Sequence, residues 1–322
     1  MTRAACLATW SAIVAVVLGV PAAAQLAGPP VGAHGGLTGA DAIGDVPAGS
    51  GVIRGRLTRR SGDDPLEDVA LTLFALGADG RPGVRSGATG ADGRFVFEGV
   101  AADPATVYLV GARYGGIPFG ARVRFAPGAT SVDAIIEVAG SSADGSALDL
   151  GVARLRIERG CSGVRVYESH ALRNPTDRVL LIPPDARASQ APIFRIPLPE
   201  GAAFFEPVGG AFDGGAELRG GDVVFFGPVY PGDSSVDFAY SVASGGPVVP
   251  LQRSFPLGAE KVVVSVSGDE APRGEGLGRA RDVTDGDARY ASAESGPLAP
   301  GQTLAFEVAA AERSVADERL SI

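Results

Sequence analysis

The sequence predicts an all-β protein: two β-sandwich domains placed after a signal peptide and a flexible leader. Three observations predict it. Apolar and polar residues alternate with period two in segment after segment from Gly51 to Val138, and again between Leu155 and Val308. Gly, Asp-Gly and Pro-Gly pairs punctuate the joins, and nothing from 148 to 308 sustains a helical period.

Residues 1–24 have the build of a secretory signal. One cation, Arg3, precedes an uncharged apolar run from Ile13 to Val20, and Pro21-Ala22-Ala23-Ala24-Gln25 supplies small residues for cleavage after Ala24. The run is shorter than the roughly 20 apolar residues of a membrane span, and it ends at a helix breaker. Cys6 lies too far upstream of the cut for a lipoprotein. Residues 25–50 are rich in Gly, Ala and Pro, with no period and no large apolar groups, so they predict a flexible leader.

The first sandwich is expected over 51–139. Ile53 and Leu57 alternate with Arg54, Arg56 and Thr58; Val69, Leu71 and Leu73 follow; Phe95 and Phe97 face away from Arg94 and Glu98. Ile117, Phe119, Ala121, Val123 and Phe125 alternate with positions that include Arg122 and Arg124, which describes a strand half in a core and half in water. Val132, Ala134, Ile136 and Val138 close a unit of about seven strands in about 90 residues. The small polar run 140–147 predicts a linker.

The second sandwich is expected over 148–308. Leu155 and Ile157, then Val236, Phe238, Tyr240 and Val242, then Val262, Val264 and Val266 each hold alternate positions. Val223-Val224-Phe225-Phe226 is continuous and predicts a strand covered on both faces. Leu304, Phe306 and Val308 predict the last strand, 269–300 an irregular excursion, and 309–322 a charged, Ala-rich tail.

The first domain resembles the carboxypeptidase regulatory-like domain, a transthyretin-like seven-stranded sandwich. The resemblance rests on Gly51-Val52-Ile53-Arg54-Gly55-Arg56-Leu57, on Leu66 to Leu73, and on the hairpin Thr89-Gly90-Ala91-Asp92-Gly93-Arg94-Phe95-Val96-Phe97. Tyr108 to Tyr114 and Ile117 to Phe125 fit its later strand pair. The second half resembles, more distantly, the Ig-like region that follows such domains in some exported proteins. Turn chemistry accounts for the hairpin by itself, since Gly accepts positive φ freely and Asp tolerates it.

Charge and composition exclude several functions. Without residues 1–24 the chain carries 27 basic and 37 acidic residues, net −10, which argues against nucleic acid as a partner. Cys161 is then alone, so no internal disulfide forms and the core must hold the fold. The family resemblance implies no zinc peptidase here: His34 and His170 lack the His-x-x-Glu pair that such a centre needs, and no metal or cofactor is expected.

Other reactive constellations are weak. No Gly-x-Ser-x-Gly elbow occurs, and Ser169 and His170 as strand neighbours face opposite ways. Cys161 and His170 could meet across a hairpin, against the plainer expectation of a buried thiol and a surface histidine. The acid pairs Glu67-Asp68, Asp269-Glu270, Asp285 with Asp287, and Asp317-Glu318 predict solvated turns. Asp282, Asp285 and Asp287 lack the spacing and the later bidentate Glu of a calcium loop. Lys261 and Asn174, the sole residues of their kinds, both fall in the second half, so the first domain holds no Lys-Asn isopeptide bond. None is expected in the second.

These readings predict no catalytic, cofactor or metal site. They predict an exported, non-catalytic binding, scaffold or assembly module of a bacterial cell envelope, periplasmic or at the cell surface, whose partner is another envelope or extracellular protein. The alternative is a carbohydrate-binding module, for which Tyr108, Tyr114, Tyr167, Tyr230 and Tyr290 are the candidate stacking platforms; Trp10 leaves with the signal.

Overall fold

The computed structural model describes residues 44–76, 82–160, 163–209, 215–244, 246–268 and 270–309. The signal peptide, most of the leader and the tail beyond Ala309 lie outside the described residues. Within them the regular structure is almost wholly β, arranged in several stacked sheets with no barrel, and a single 3-10 turn at Pro184–Ala186 is the one helical element.

The first sandwich contains β1 (Gly44–Asp45), β2 (Ala48–Arg59), β3 (Ala70–Leu76), β4 (Pro82–Ala88), β5 (Arg94–Val100), β6 (Val107–Tyr114), β7 (Ile117–Val123) and β8 (Ser131–Val138). Its sheets are ordered β1-β4-β3-β6-β7 and β5-β2-β8. The alternating residues named above fill the space between them: Ile53, Leu71, Leu73, Phe95, Phe97, Phe119, Ala134 and Ile136 are all buried in one cluster. At the Asp92-Gly93 turn, Gly93 takes φ +74 and the Arg94 amide donates to Asp92 Oδ1 at 3.2 Å. Buried Thr89 pins this turn to the preceding loop, accepting from the Val69 amide at 2.9 Å and donating to the Leu66 carbonyl at 2.6 Å.

The boundaries differ from expectation at both ends of this unit. Gly44–Asp45 pairs in parallel with β4, Val46 is buried, and β2 begins at Ala48, so the last residues of the expected leader belong to the sandwich. Burial of Val46 and backbone pairing with β4 hold this Gly-rich segment on the sheet. The 140–147 linker is likewise folded: β9 (Ser141–Ser142) pairs in parallel with residues 179–180, and the Gly140 amide donates to the Ser61 carbonyl.

The second sandwich contains β10 (Asp149–Gly160), β11 (Gly163–Asn174), β12 (Val179–Leu180), β13 (Phe194–Pro197), β14 (Ala202–Pro207), β15 (Ala216–Arg219), β16 (Asp222–Phe225), β17 (Gly232–Ala243), β18 (Val248–Phe255), β19 (Lys261–Ser267), β20 (Arg281–Asp285), β21 (Ala288–Glu294) and β22 (Gln302–Ala309). One seven-stranded sheet, ordered β14-β17-β11-β10-β19-β21-β20, lies under a layer made from β13-β16-β15 and β18-β22. Val223 to Phe226 are all buried, as a strand covered on both faces requires. The expected irregular excursion 269–300 instead contributes β20 and β21 to the large sheet. Its short alternation, Tyr290 and Ser292 against Ala291 and Ala293, uses small residues that hide the period.

The two sandwiches share one continuous seam. Adjacent residues of β12 feed opposite cores: Val179 is buried in the first cluster and Leu180 in the second. Tyr230, one of the candidate stacking platforms, reaches across it. Its ring meets Phe119 edge-on at 5.6 Å and its hydroxyl donates to the Pro118 carbonyl at 2.5 Å. Gly227, at φ +86 before a cis proline, lets this loop lie against β12, where a Cβ would run into the Leu180 carbonyl.

Candidate functional site

The inward face of β11 reads Val164, Val166, Glu168, His170, Leu172, so strand alternation alone delivers an acid and an imidazole into an apolar core. β17 lies beside it and adds Tyr240; β18, in the opposing layer, adds Arg253. These four side chains converge between the sheets. Glu168 Oε1 accepts from Arg253 Nε at 2.6 Å and from the Tyr240 hydroxyl at 2.5 Å; Oε2 accepts from Arg253 Nη2 at 2.8 Å and meets His170 Nε2 at 2.7 Å. Arg253 Nη1 donates onward to the Pro197 carbonyl on β13. His170 stacks on Phe238 at 5.6 Å, and its Nδ1 has no hydrogen-bond partner among the described residues.

Water is excluded from the whole cluster, Glu168 having 0 % and Arg253 and His170 each 1 % of their side-chain surface exposed. Burial pushes the Glu168 carboxyl upward, but the Arg253 charge and the hydrogen bonds from His170 and Arg253 overcome it and hold the group at about 2. Burial and the neighbouring carboxylate push the Tyr240 phenol well above its ordinary range. Burial also opposes the charge on Arg253, and Glu168 more than restores it. The carboxylate accepts from every side that its lone pairs present, which is the condition under which a buried charge is tolerated.

The remaining candidates disperse. His170 is buried, not at the surface as expected, because it shares the core phase of β11 with Glu168; Ser169 faces the other way, as expected. Cys161, His34, Trp10, Asp269 and Asp317-Glu318 lie outside the described residues. Glu67 and Asp68 are exposed, Glu270 stands 3.9 Å from Arg159, and Asp282, Asp285 and Asp287 are exposed along β20 and its turn. Among the described residues no three His, Cys, Asp or Glu side chains converge in a way that could hold a metal ion. Lys261 pairs with Glu294 at 3.1 Å, while Asn174 donates to the Arg178 and Val229 carbonyls, so the two are committed apart.

Most of the candidate tyrosines are spent internally. Tyr108, Tyr114 and Tyr290 are buried, Tyr230 holds the seam, and Tyr167 is covered by Arg156, whose guanidinium carbon lies 4.7 Å from the ring centre. What does face solvent is apolar in places. Phe74 and Leu76 share the outer face of β3, beside Val84 and Leu109, and Val96 and Ile135 are exposed on the opposite sheet. In the second sandwich an open groove of about 860 Å³ runs beside Glu200, Gln252, Arg273 and Glu307.

Sequence reading missed Glu168, Arg253 and Tyr240 as a group. The signal was available: each occupies an apolar phase of its strand. Among the described residues no helix is long and apolar enough to cross a membrane. Compared with known proteins, the chain matches no protein-family model and has no match among curated proteins.

Proposed function

We propose that this chain is an exported, non-catalytic binding or scaffold protein of a bacterial cell envelope, a carboxypeptidase regulatory-like sandwich followed by an Ig-like one. The sealing of Glu168, His170, Tyr240 and Arg253 carries the reading. These are the groups from which an acid-base centre is made, yet a general acid or base must come within hydrogen-bond reach of a substrate. Here all four are buried, and His170, Tyr240 and Arg253 are each bonded to Glu168. They tie two sheets together and leave the surface to do the work.

That surface suits another protein. Phe74 and Leu76 offer apolar area on a rigid sheet, and the strand edges offer unpaired backbone groups. The seam through Val179, Leu180 and Tyr230 keeps both sandwiches in one body, which lowers the ordering cost of a contact that spans them. Burial of Tyr108, Tyr114 and Tyr290 favours a protein partner over a sugar, since stacking on a glycan needs an open ring. Cleavage after Ala24 fits the destination.

The purified mature chain, immobilised and exposed to envelope proteins of its own cell, is expected to retain one protein reproducibly. A Phe74→Asp/Leu76→Asp variant with unchanged circular dichroism is expected to lose it. Saturable binding to a glycan array would favour the carbohydrate reading. Substrate turnover abolished by His170→Ala in a still-folded protein would end the non-catalytic one.

A further inference from the structure

The two ends of the seven-stranded sheet are built differently. At the β14 end the register slips between Ala203 and Glu206, Phe204 takes φ +55, and Pro207 closes the strand. Bulges and prolines are the devices by which a sheet refuses a further strand. The β20 end has neither. Its five residues, Arg281-Asp282-Val283-Thr284-Asp285, keep a regular register with β21 from Arg281–Ser292 to Asp285–Ala288, and all five are exposed. Among the described strands, β20 is hydrogen-bonded to β21 alone.

We propose that β20 is a self-association edge: it pairs antiparallel with β20 of a second copy about a two-fold axis at Val283, joining two seven-stranded sheets into one. This goes beyond the scaffold reading and does not depend on it. Gly286-Asp287 forms a two-residue turn with Gly286 at φ +59, so Asp285 and Ala288 close the hairpin as a hydrogen-bonded pair. Hydrogen-bonded and non-bonded pairs then alternate, so Asp285, Val283 and Arg281 spend their backbone groups on β21, while Thr284 and Asp282 aim theirs at the open edge.

Only registers that match outward-facing residues to one another can form, and their charges separate them. With the axis at Val283, Arg281 stands opposite Asp285 of the second copy on both sides of the axis, and Asp282 stands opposite Thr284, which can donate to it. About four backbone hydrogen bonds close, and the valines meet as a non-bonded pair. Moving the axis to Asp282 sets two carboxylates against each other; moving it to Thr284 leaves Asp285 facing Val283. Arg281 already reaches Glu294 at 2.6 Å, but Glu294 keeps Lys261, so sharing Arg281 leaves no acid stranded.

The test uses the mature chain with Cys161→Ser. Sedimentation up to about 200 µM is expected to show a reversible dimer, a weak one for so short a strand. Thr284→Pro removes only an outward N–H and is expected to weaken dimerisation at least tenfold while sparing β21. Arg281→Asp is expected to do the same, and Arg281→Asp/Asp285→Arg to restore it. Val283→Cys is expected to form a disulfide-linked dimer with oxidised glutathione much faster than Ile135→Cys, because non-bonded antiparallel pairs sit within disulfide reach. A protein that stays monomeric throughout this range, a dimer indifferent to Thr284→Pro, or cross-linking no faster at Val283 than at Ile135 would each overturn the proposal.

Discussion

Glu168 and Arg253 stand on opposing layers of the second sandwich and meet along two parallel hydrogen bonds, Nε to Oε1 and Nη2 to Oε2, with no solvent contact. They form a charged link across a core built mainly of aliphatic and aromatic side chains. A link of this kind stabilises little by itself, because the attraction is offset by desolvation, but breaking one side strands the other charge.

Glu168→Gln is therefore expected to destabilise the second sandwich by about 3–5 kcal/mol. The double variant Glu168→Leu/Arg253→Met is expected to cost much less than the two single changes together, since no charge is left behind. Urea titration of the wild type, Glu168→Leu, Arg253→Met and the double variant checks this. Single losses that simply add would show that the pair does not act as a unit.

The same pair sets an acid limit. Glu168 is held near 2 in the folded protein against an ordinary 4.5, so the unfolded chain takes up the proton first as pH falls. The sign follows: this contribution is complete above about 4.5, declines as pH drops, and is gone below about 2. The wild-type urea midpoint is expected to fall across that window, with a shallower fall in Glu168→Gln. Equal slopes in both proteins would place the acid sensitivity elsewhere.

The sheets were legible in the sequence because nearly every strand of the first domain alternates, and Phe95, Phe97, Phe119 and Ile136 are buried where alternation puts them. β20 and β21 were not, because Val283 is the one apolar residue in β20 and the Ala and Ser of β21 mark neither face. The buried cluster was half legible: strand period separates Ser169 from His170 and puts Tyr240 in the apolar phase of its strand, but sorting residues by chemistry hides that Glu168 and Arg253 sit in core phase. A charged residue in the apolar phase of a strand is itself the sign of a partner across the core. The seam was not legible at all, since Val179 and Leu180 read as two more apolar residues and only the fold sends them to different cores.

Tyr230 couples the sandwiches through its ring on Phe119 and its hydroxyl on the Pro118 carbonyl. Tyr230→Phe removes the hydrogen bond alone and is expected to cost about 1 kcal/mol. Tyr230→Ala also removes the ring, and is expected to separate a single calorimetric transition into two. One transition in Tyr230→Ala would show that β12 suffices to hold the seam.

Thr89 gives a sharper test of the first domain, because its hydroxyl serves two backbone groups at once, accepting from Val69 and donating to Leu66, at 3 % exposure. Thr89→Val keeps the shape and removes both bonds, leaving the buried Val69 amide and the half-buried Leu66 carbonyl short of a partner. Such a change is expected to cost about 1–3 kcal/mol. Thr89→Ser keeps both bonds and loses one methyl, at about 0.8 kcal/mol. Hydrogen exchange separates the two causes: the Val69 amide is expected to lose protection selectively in Thr89→Val and to keep it in Thr89→Ser. Equal protection in both variants would mean that the hairpin is held by the Phe95 and Phe97 packing and that the threonine only fills space.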